Sequence, residues 1–172
     1  METYTSLQKL VTESNNRLNN WQFDLFKSAG NLNKMLIEKL DPPRDIIKMH
    51  DKSFCRIALA KPFFDNQENG NLSRILLTEN NYREFIKYNI LNFSILLCFP
   101  TSESNKTVST FKFILGVRFS ENNSQYSIYD REFQQEGDWM VIDDIFSKII
   151  EILLSDTSID PYYCYKQSHF GF

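Results

Sequence analysis

The chain has 172 residues, of which 42% are hydrophobic and 24% charged, and this length and composition are typical of a single globular domain. Its net charge of −3 disfavours nucleic acid as a partner, because nucleic-acid-binding domains are usually basic. The five glycines form neither a G-x-x-x-x-G-K-[ST] nor a G-x-G-x-x-G sequence, which excludes nucleotide binding by those two loops.

Residues 4–29 are predicted to form a helix with a heptad repeat. When Tyr4 takes position a, every a position is apolar, but two of the five d positions are serine, so the apolar seam is imperfect. The a positions are Tyr4, Val11, Leu18, Leu25 and Leu32, and the d positions are Leu7, Ser14, Trp21, Ser28 and Met35. Gly30-Asn31 predicts a helix stop and a new N-cap, followed by a second short helix over residues 32–40.

The seam leaves two arrangements open for this N-terminal segment. It either packs on its own domain or pairs with a second copy, so a homodimer through residues 4–35 is one predicted partner arrangement. Because the seam spans only about three heptads with weak d positions, packing on its own domain is favoured over a free-standing coiled coil.

After Pro42-Pro43 the apolar period changes from helical to strand-like. Strands are predicted at residues 53–60 and 91–99, and the second is almost wholly apolar, as is typical of a central strand covered on both faces. A short helix is predicted from residue 78 to about residue 88. An amphipathic helix is predicted over residues 143–154.

Residues 106–139 predict an antiparallel hairpin whose loop length decides which residues share a face. A tight loop centred on Asn122-Asn123 places Asp130 opposite Leu115 on the ring-lined face, where an unpaired carboxylate is costly. A loop longer by one residue places Asp130 opposite Gly116 and Arg118 opposite Ile128. This second register is preferred, because Asp130 and Glu132 then share the outer face with two basic residues, Lys112 and Arg118.

Few residues match catalytic or metal-binding patterns. The two histidines, His50 and His169, belong to no H-E-x-x-H or paired C-x-x-C pattern, so no metal site is predicted. Asp130 and Glu132 give D-x-E, but Gln134 stands where a PD-(D/E)xK nuclease carries its lysine. No catalytic residue and no cofactor are therefore predicted, and a metal-dependent enzyme or nuclease of unrecognised type is kept as an alternative.

Three widely spaced cysteines, Cys55, Cys98 and Cys164, predict free thiols and a cytoplasmic location, since two of them lie in apolar runs. A Cys-His enzyme would have to join Cys98 or Cys55 to His50 across the fold, and no local pattern supports it. The N-terminus lacks the basic-then-apolar order of a secretory peptide. The apolar run at 142–154 is interrupted by charges, so no membrane span is predicted.

These elements predict one α+β domain over residues 1–172, with a helical segment at 1–40, a sheet-and-helix core at 52–155 and an aromatic tail at 156–172. We expect an antiparallel sheet of four to five strands. The N-terminal helical segment and the C-terminal amphipathic helix should pack mainly on one of its faces. This outline is similar to small sensor domains of the PAS or GAF kind, and the resemblance implies an apolar ligand pocket inside the core.

Charge is distributed unevenly along the chain. Residues 129–160 contain nine acidic residues against only Arg131 and Lys148, and the rest of the chain is net positive. Such an acidic surface would suit a protein partner with a basic surface. We therefore predict a non-enzymatic protein-interaction module, namely an inhibitor, an immunity-type protein or a complex subunit, with a PAS/GAF-like sensor as the alternative. The predicted partner-binding residues are Asp130, Glu132, Glu136, Asp138, Asp143, Asp144, Tyr162 and Tyr163.

Overall fold

The fold is α+β, with antiparallel sheet covered on one face by a long N-terminal helix and a C-terminal helix. It was obtained as a computed structural model that describes residues 3–65, 67–101, 108–130 and 135–157. The helices are α1 (Tyr4–Leu40), the single-turn α2 (Leu72–Ile75) and α3 (Ile142–Thr157). The strands are β1 (Ile47–Met49), β2 (Lys52–Phe54), β3 (Ile57–Ala60), β4 (Ile86–Lys87), β5 (Ile90–Pro100), β6 (Val108–Ser120), β7 (Asn123–Asp130) and β8 (Gln135–Glu136).

The main sheet has the strand order β3-β5-β6-β7-β8, and the two-residue β4 pairs with the start of β5. Each of these pairings is antiparallel. The apolar run predicted as a central strand is β5, which lies between β3 and β6 and is buried along most of its length. The prediction of an α+β fold with an antiparallel sheet is therefore confirmed.

One face of the sheet forms the main core together with α1 and α3. The α1 residues in this core all come from the second half of the helix, and those of α3 follow its apolar stripe. The buried residues of the two helices are Leu25, Ala29, Leu32, Leu36, Ile145, Ile149 and Leu153, and they pack on Phe93, Ile95, Leu97, Phe113, Leu115, Val117 and Tyr126 of the sheet. The expected packing of both helices on one face is thus observed.

The opposite face of the sheet is also partly covered. Ala58, Ala60 and Leu96 pack with Ile75 of α2 in a second small cluster, and Phe64 lies against it. A separate hairpin of β1 and β2 contributes Ile47 and Phe54 to a third cluster with Cys98. The connection between β3 and β4 therefore closes the side that α1 and α3 leave open.

The predicted break at Gly30 is wrong, because α1 is one continuous helix of 37 residues. A glycine inside a helix costs only about 1 kcal/mol, and its neighbours Ala29 and Leu32 are fully buried in the core, so packing outweighs the local preference. The helix ends instead at Asp41, which adopts the left-handed conformation and donates its backbone N–H to Ile37 O.

Two further elements differ from the predictions. The strand predicted at 53–60 is divided into β2 and β3, and the interruption lets Arg56 form a bidentate contact of 3.1 and 3.2 Å with the Asp45 carboxylate. The helix predicted at 78–88 is a short 3-10 helix followed by β4, because Tyr88 and Asn89 both take positive φ and form a tight hairpin turn into β5.

The hairpin of β6 and β7 has neither of the two registers considered from the sequence. Glu121 and Asn122, with φ of 51° and 65°, form a two-residue turn of the kind that matches strand twist. Leu115 therefore lies opposite Ile128 and Val117 opposite Tyr126. The preferred pairing of Arg118 with Ile128 is wrong, since Arg118 lies opposite Gln125. This turn pairs Leu115 with the apolar Ile128, whereas the longer loop would have placed Arg131 opposite Leu115.

Candidate interaction site

The described acidic residues of the predicted surface lie close together along the chain and are exposed. Asp143 and Asp144 occupy the first turn of α3, and Asp138 precedes the bridge between Met140 and Tyr126. Carboxylates in the first turn of a helix stabilise its N-terminus by typically 0.3–1 kcal/mol, so Asp143 and Asp144 have a structural role without any partner.

The remaining predicted residues lie outside the part of the chain whose side chains are described. The backbones of Asp130 and Glu136 belong to β7 and β8, where Asp130 pairs with Gln135 and Glu136 with Tyr129. Glu132, Tyr162 and Tyr163 are outside the described residues altogether. The acidic surface therefore stays a prediction, with three of its eight residues placed at the surface near the start of α3.

The basic residues of β6 do not form the solvent-exposed outer face that the sequence predicts. Lys112 is only 6% exposed, and its ammonium lies 4.0 Å from the ring centroid of Phe64. Arg118 stacks on Trp139 at 4.1 Å and donates to the Gln125 side-chain oxygen at 3.2 and 3.3 Å. Both cations are thus held by rings of the same chain, which the sequence pattern alone did not indicate.

Gly116 is the position that allows these rings to cross the outer face of the sheet. A Cβ there would lie 2.7 Å from the Tyr129 hydroxyl and 3.3 Å from Trp139. The Tyr129 hydroxyl also hydrogen-bonds to Asn92 on the far side of β6. Trp139 and Tyr129 therefore pack over the sheet where the sequence suggested exposed charge pairs.

The described cysteines are poorly suited to nucleophilic catalysis. Burial raises the pKa of the Cys98 thiol to about 11, and burial also raises the pKa of Cys55. A thiol must ionise to act as a nucleophile, so neither cysteine has the lowered pKa of a catalytic one. Within residues 3–65, 67–101, 108–130 and 135–157, no group of three or more His, Cys, Asp and Glu side chains could hold a metal ion.

The most unusual surface of the molecule is the first half of α1. Residues 4–20, here called the arm, are exposed at every position, whereas one side of the same helix is buried in the core between Leu25 and Leu36. Five large apolar side chains of the arm are 49–82% exposed. They are Tyr4, Leu7, Leu10, Val11 and Leu18. Isolated exposed apolar residues are common, but a row of them along one helix, here interrupted at Ser14, is typical of an interaction site.

The arm joins the domain at Trp21. Its ring packs edge-on against Phe119 of β6 with 6.4 Å between centroids. Beyond it, the Ser28 hydroxyl lies 2.8 Å from that of Ser124, and the Tyr126 hydroxyl donates to Ser28 O at 2.8 Å. These contacts fix the second half of α1 to β7, so the arm is held in one direction relative to the sheet.

Two open cavities lie beside α1. The first, of about 540 Å³, is at the base of the arm and is lined by Trp21, Arg118, Phe119 and residues 88–90. The second, of about 590 Å³, follows the middle of α1 and is lined by Phe23, Phe26 and Lys34 among others. Both open to solvent.

The heptad repeat was the sequence signal for the arm, and its a and d positions include four of the five exposed apolar residues, with Leu10 at a flanking position. It could not show that the first three a positions are exposed while Leu25 and Leu32 are buried. In the described part of the chain, no helix is long and apolar enough to cross a membrane.

Comparison with known proteins gives no family to which the chain can be assigned. A scan against models of protein families, a search of curated proteins and a search of solved structures each found no match. The function must therefore be inferred from the geometry of the chain itself.

Proposed function

We propose that this chain is a non-enzymatic protein-interaction module that binds its partner through the arm. The observation that carries the proposal is the uncovered apolar stripe of residues 4–20, which continues the seam that packs α1 onto its own sheet. Burying a large apolar side chain stabilises an interface by about 1.5–3 kcal/mol. Burying the five exposed side chains of the arm would therefore make a large contribution to the free energy of binding.

The acidic surface near the start of α3 is the second part of the proposal. Asp138, Asp143 and Asp144 would steer a partner with a basic surface, since complementary charge mainly raises the association rate. An inhibitory or immunity-type role would use both surfaces, with the arm supplying affinity. Free Cys55 and Cys98, the second of them buried, support the accompanying proposal of a reducing, cytoplasmic compartment.

The arm is tested with a double variant, Leu7→Glu with Leu18→Glu, used as bait in extracts of the native host. The control, Lys9→Glu with Asn16→Glu, places two carboxylates on the opposite side of the helix. We expect mass spectrometry to show partners that bind the wild type and the control but not the arm variant. Identical binding by all three proteins, with no difference in self-association, would refute the proposal.

The acidic surface is tested separately with Asp143→Asn and Asp144→Asn, because neutral variants limit the loss of helix stability to about 1 kcal/mol per residue or less. We expect the association rate with the captured partner to fall severalfold at low salt and to become less dependent on ionic strength. Asp51→Asn with Asp65→Asn, two exposed acids elsewhere, serves as the control. A rate unchanged in the Asp143/Asp144 variant would remove the acidic surface from the proposal.

A further inference from the structure

The apolar stripe of the arm and the buried stripe of the second half of α1, residues 21–40 and here called the core half, lie on the same side of the helix. At 3.6 residues per turn, Val11 and Leu18 are aligned with Leu25 and Leu32. A partner that covers the arm must therefore approach from the side on which the sheet lies further along the helix. This geometry limits the direction in which a partner helix can run along the arm.

The arm is a poor helix by itself. Eight of its 17 residues are Thr, Ser or Asn, which favour caps and turns over helix interiors. Isolated helices of this length are marginal in water even when they are rich in alanine. The local interactions that hold the arm are the Thr3 cap, a hydrogen bond of 2.9 Å from the Thr12 hydroxyl to Gln8 O, and a 4.0 Å contact between Lys9 and Glu13. Packing of its stripe against another chain would supply the missing stability.

A parallel helix on this stripe meets a steric obstacle. Beyond Trp21 it would continue into the space occupied by the sheet, because Leu25 and Leu32 already pack there. An antiparallel helix avoids this obstacle, since its own domain lies beyond the opposite end of the arm. The arm is about 25 Å long at 1.5 Å per residue, which leaves room for one domain at each end.

We propose that the occupant of the arm is a second copy of this chain, whose arm pairs with it in antiparallel orientation. This proposal rests on the proposed role of the arm in binding. Antiparallel coiled coils pair a positions with d positions. Centring the pair between Thr12 and Glu13 brings the a and d positions of the two arms opposite each other along their whole exposed length. The layers are Tyr4 with Trp21, Leu7 with Leu18, and Val11 with Ser14, each occurring twice by symmetry.

The charges of the arm are compatible with this self-pairing. The positions flanking the seam are Gln8 and Asn15 on one side and Leu10 and Arg17 on the other. In the antiparallel register Gln8 faces Asn15, and the stem of Arg17 lies along Leu10 of the second copy. Like charges do not meet across the seam, and a two-fold axis makes the interface self-complementary.

The cavity at the base of the arm fits the end of the second helix. In the antiparallel register, the helix of the second copy begins at Tyr4 beside Trp21, and the cavity of about 540 Å³ opens at that point. Arg118 and Phe119 line it together with the turn at 88–90.

The oligomeric state of the full chain is the first test. Light scattering across a wide concentration range should give the mass of a dimer for the wild type and for Lys9→Glu with Asn16→Glu. Leu7→Glu with Leu18→Glu places four carboxylates in the seam and should raise the dimer dissociation constant by roughly a hundredfold or more. Its thermal unfolding as a monomer should still show a folded domain, since both residues are exposed there.

Disulfide cross-linking tests the orientation. Leu7→Cys and Leu18→Cys are prepared as separate proteins, mixed and oxidised, with the wild type as the control for its native cysteines. Antiparallel pairing gives a covalent dimer between the two variants and none from either variant alone. Cross-linking of Leu7→Cys with itself would overturn the antiparallel arrangement.

The results also separate this inference from the proposed function. A wild type that stays monomeric at every concentration overturns self-pairing. Suppose that the wild type then captures a different protein from the host extract and that the arm variant does not capture it. In that case the arm remains a binding site. If the arm variant changes neither self-association nor capture, both proposals fail.

Discussion

The two halves of α1 have the same apolar repeat but opposite environments. Leu18 and Leu32 occupy equivalent a positions, yet Leu18 is 51% exposed and Leu32 is fully buried. The second half is held by the sheet and by hydrogen bonds from Ser28 and Tyr126, whereas every residue of the arm is exposed. A heptad repeat therefore indicates which side of a helix carries the apolar residues. The extent of the sheet determines how many of those residues are buried within the same chain.

The largest expected difference comes from truncating these two leucines. Leu32→Ala should lower the free energy of unfolding by about 2–5 kcal/mol, because it leaves a cavity in the core. Leu18→Ala should change it by less than about 0.5 kcal/mol at concentrations where the chain is monomeric. Urea unfolding followed by circular dichroism measures both values. Equal losses would mean that the arm packs on its own domain in solution.

Substituting Tyr126 should have the next largest effect, because its hydroxyl connects β7 to Ser28 O of the core half. Tyr126→Phe should cost about 1 kcal/mol at neutral pH. Tyr4→Phe, in the exposed arm, is the matched control and should cost almost nothing.

Tyr126 also predicts a dependence on alkaline pH. Burial raises its pKa from 10.0 to about 12, so the folded state holds the phenolic proton more tightly than the unfolded state. This contribution is fully present below about pH 10 and is lost as the pH rises through about 12. Its upper limit is roughly 3 kcal/mol. The wild type should therefore lose more stability than Tyr126→Phe over this range, with the Cys98 contribution common to both. Parallel curves for the two proteins would contradict this assignment.

The sequence predicts those parts of the fold that depend on apolar pattern. The run from Ile90 to Pro100 is the central strand β5, and the stripe at 142–157 forms α3, because each buries a face that the pattern defines. The register of β6 and β7 was not predictable in the same way. It depends on Glu121 accepting a positive φ, a conformation for which glutamate has no marked preference.

The candidate site was predictable only in part. The heptad repeat identified the apolar residues of the arm, but their exposure depends on where the sheet ends relative to α1, and Trp21 marks that boundary only in three dimensions. The burial of Lys112 and the stacking of Arg118 on Trp139 depend on contacts between residues far apart in the chain. Local pattern alone could not indicate either one.

Substitution of Gly30 tests directly whether α1 is continuous through the core half. A Cβ at Gly30 would meet nothing within 4 Å, and the helix interior favours alanine over glycine by about 1 kcal/mol. Gly30→Ala should therefore raise the free energy of unfolding by about that amount, measured by urea unfolding. If the helix stopped at Gly30 in a left-handed conformation, alanine would instead destabilise the protein. Gly70→Ala is the contrasting control, because Gly70 has a φ of 91° and its Cβ would lie 2.7 Å from Lys52 Cβ, so that variant should lose stability.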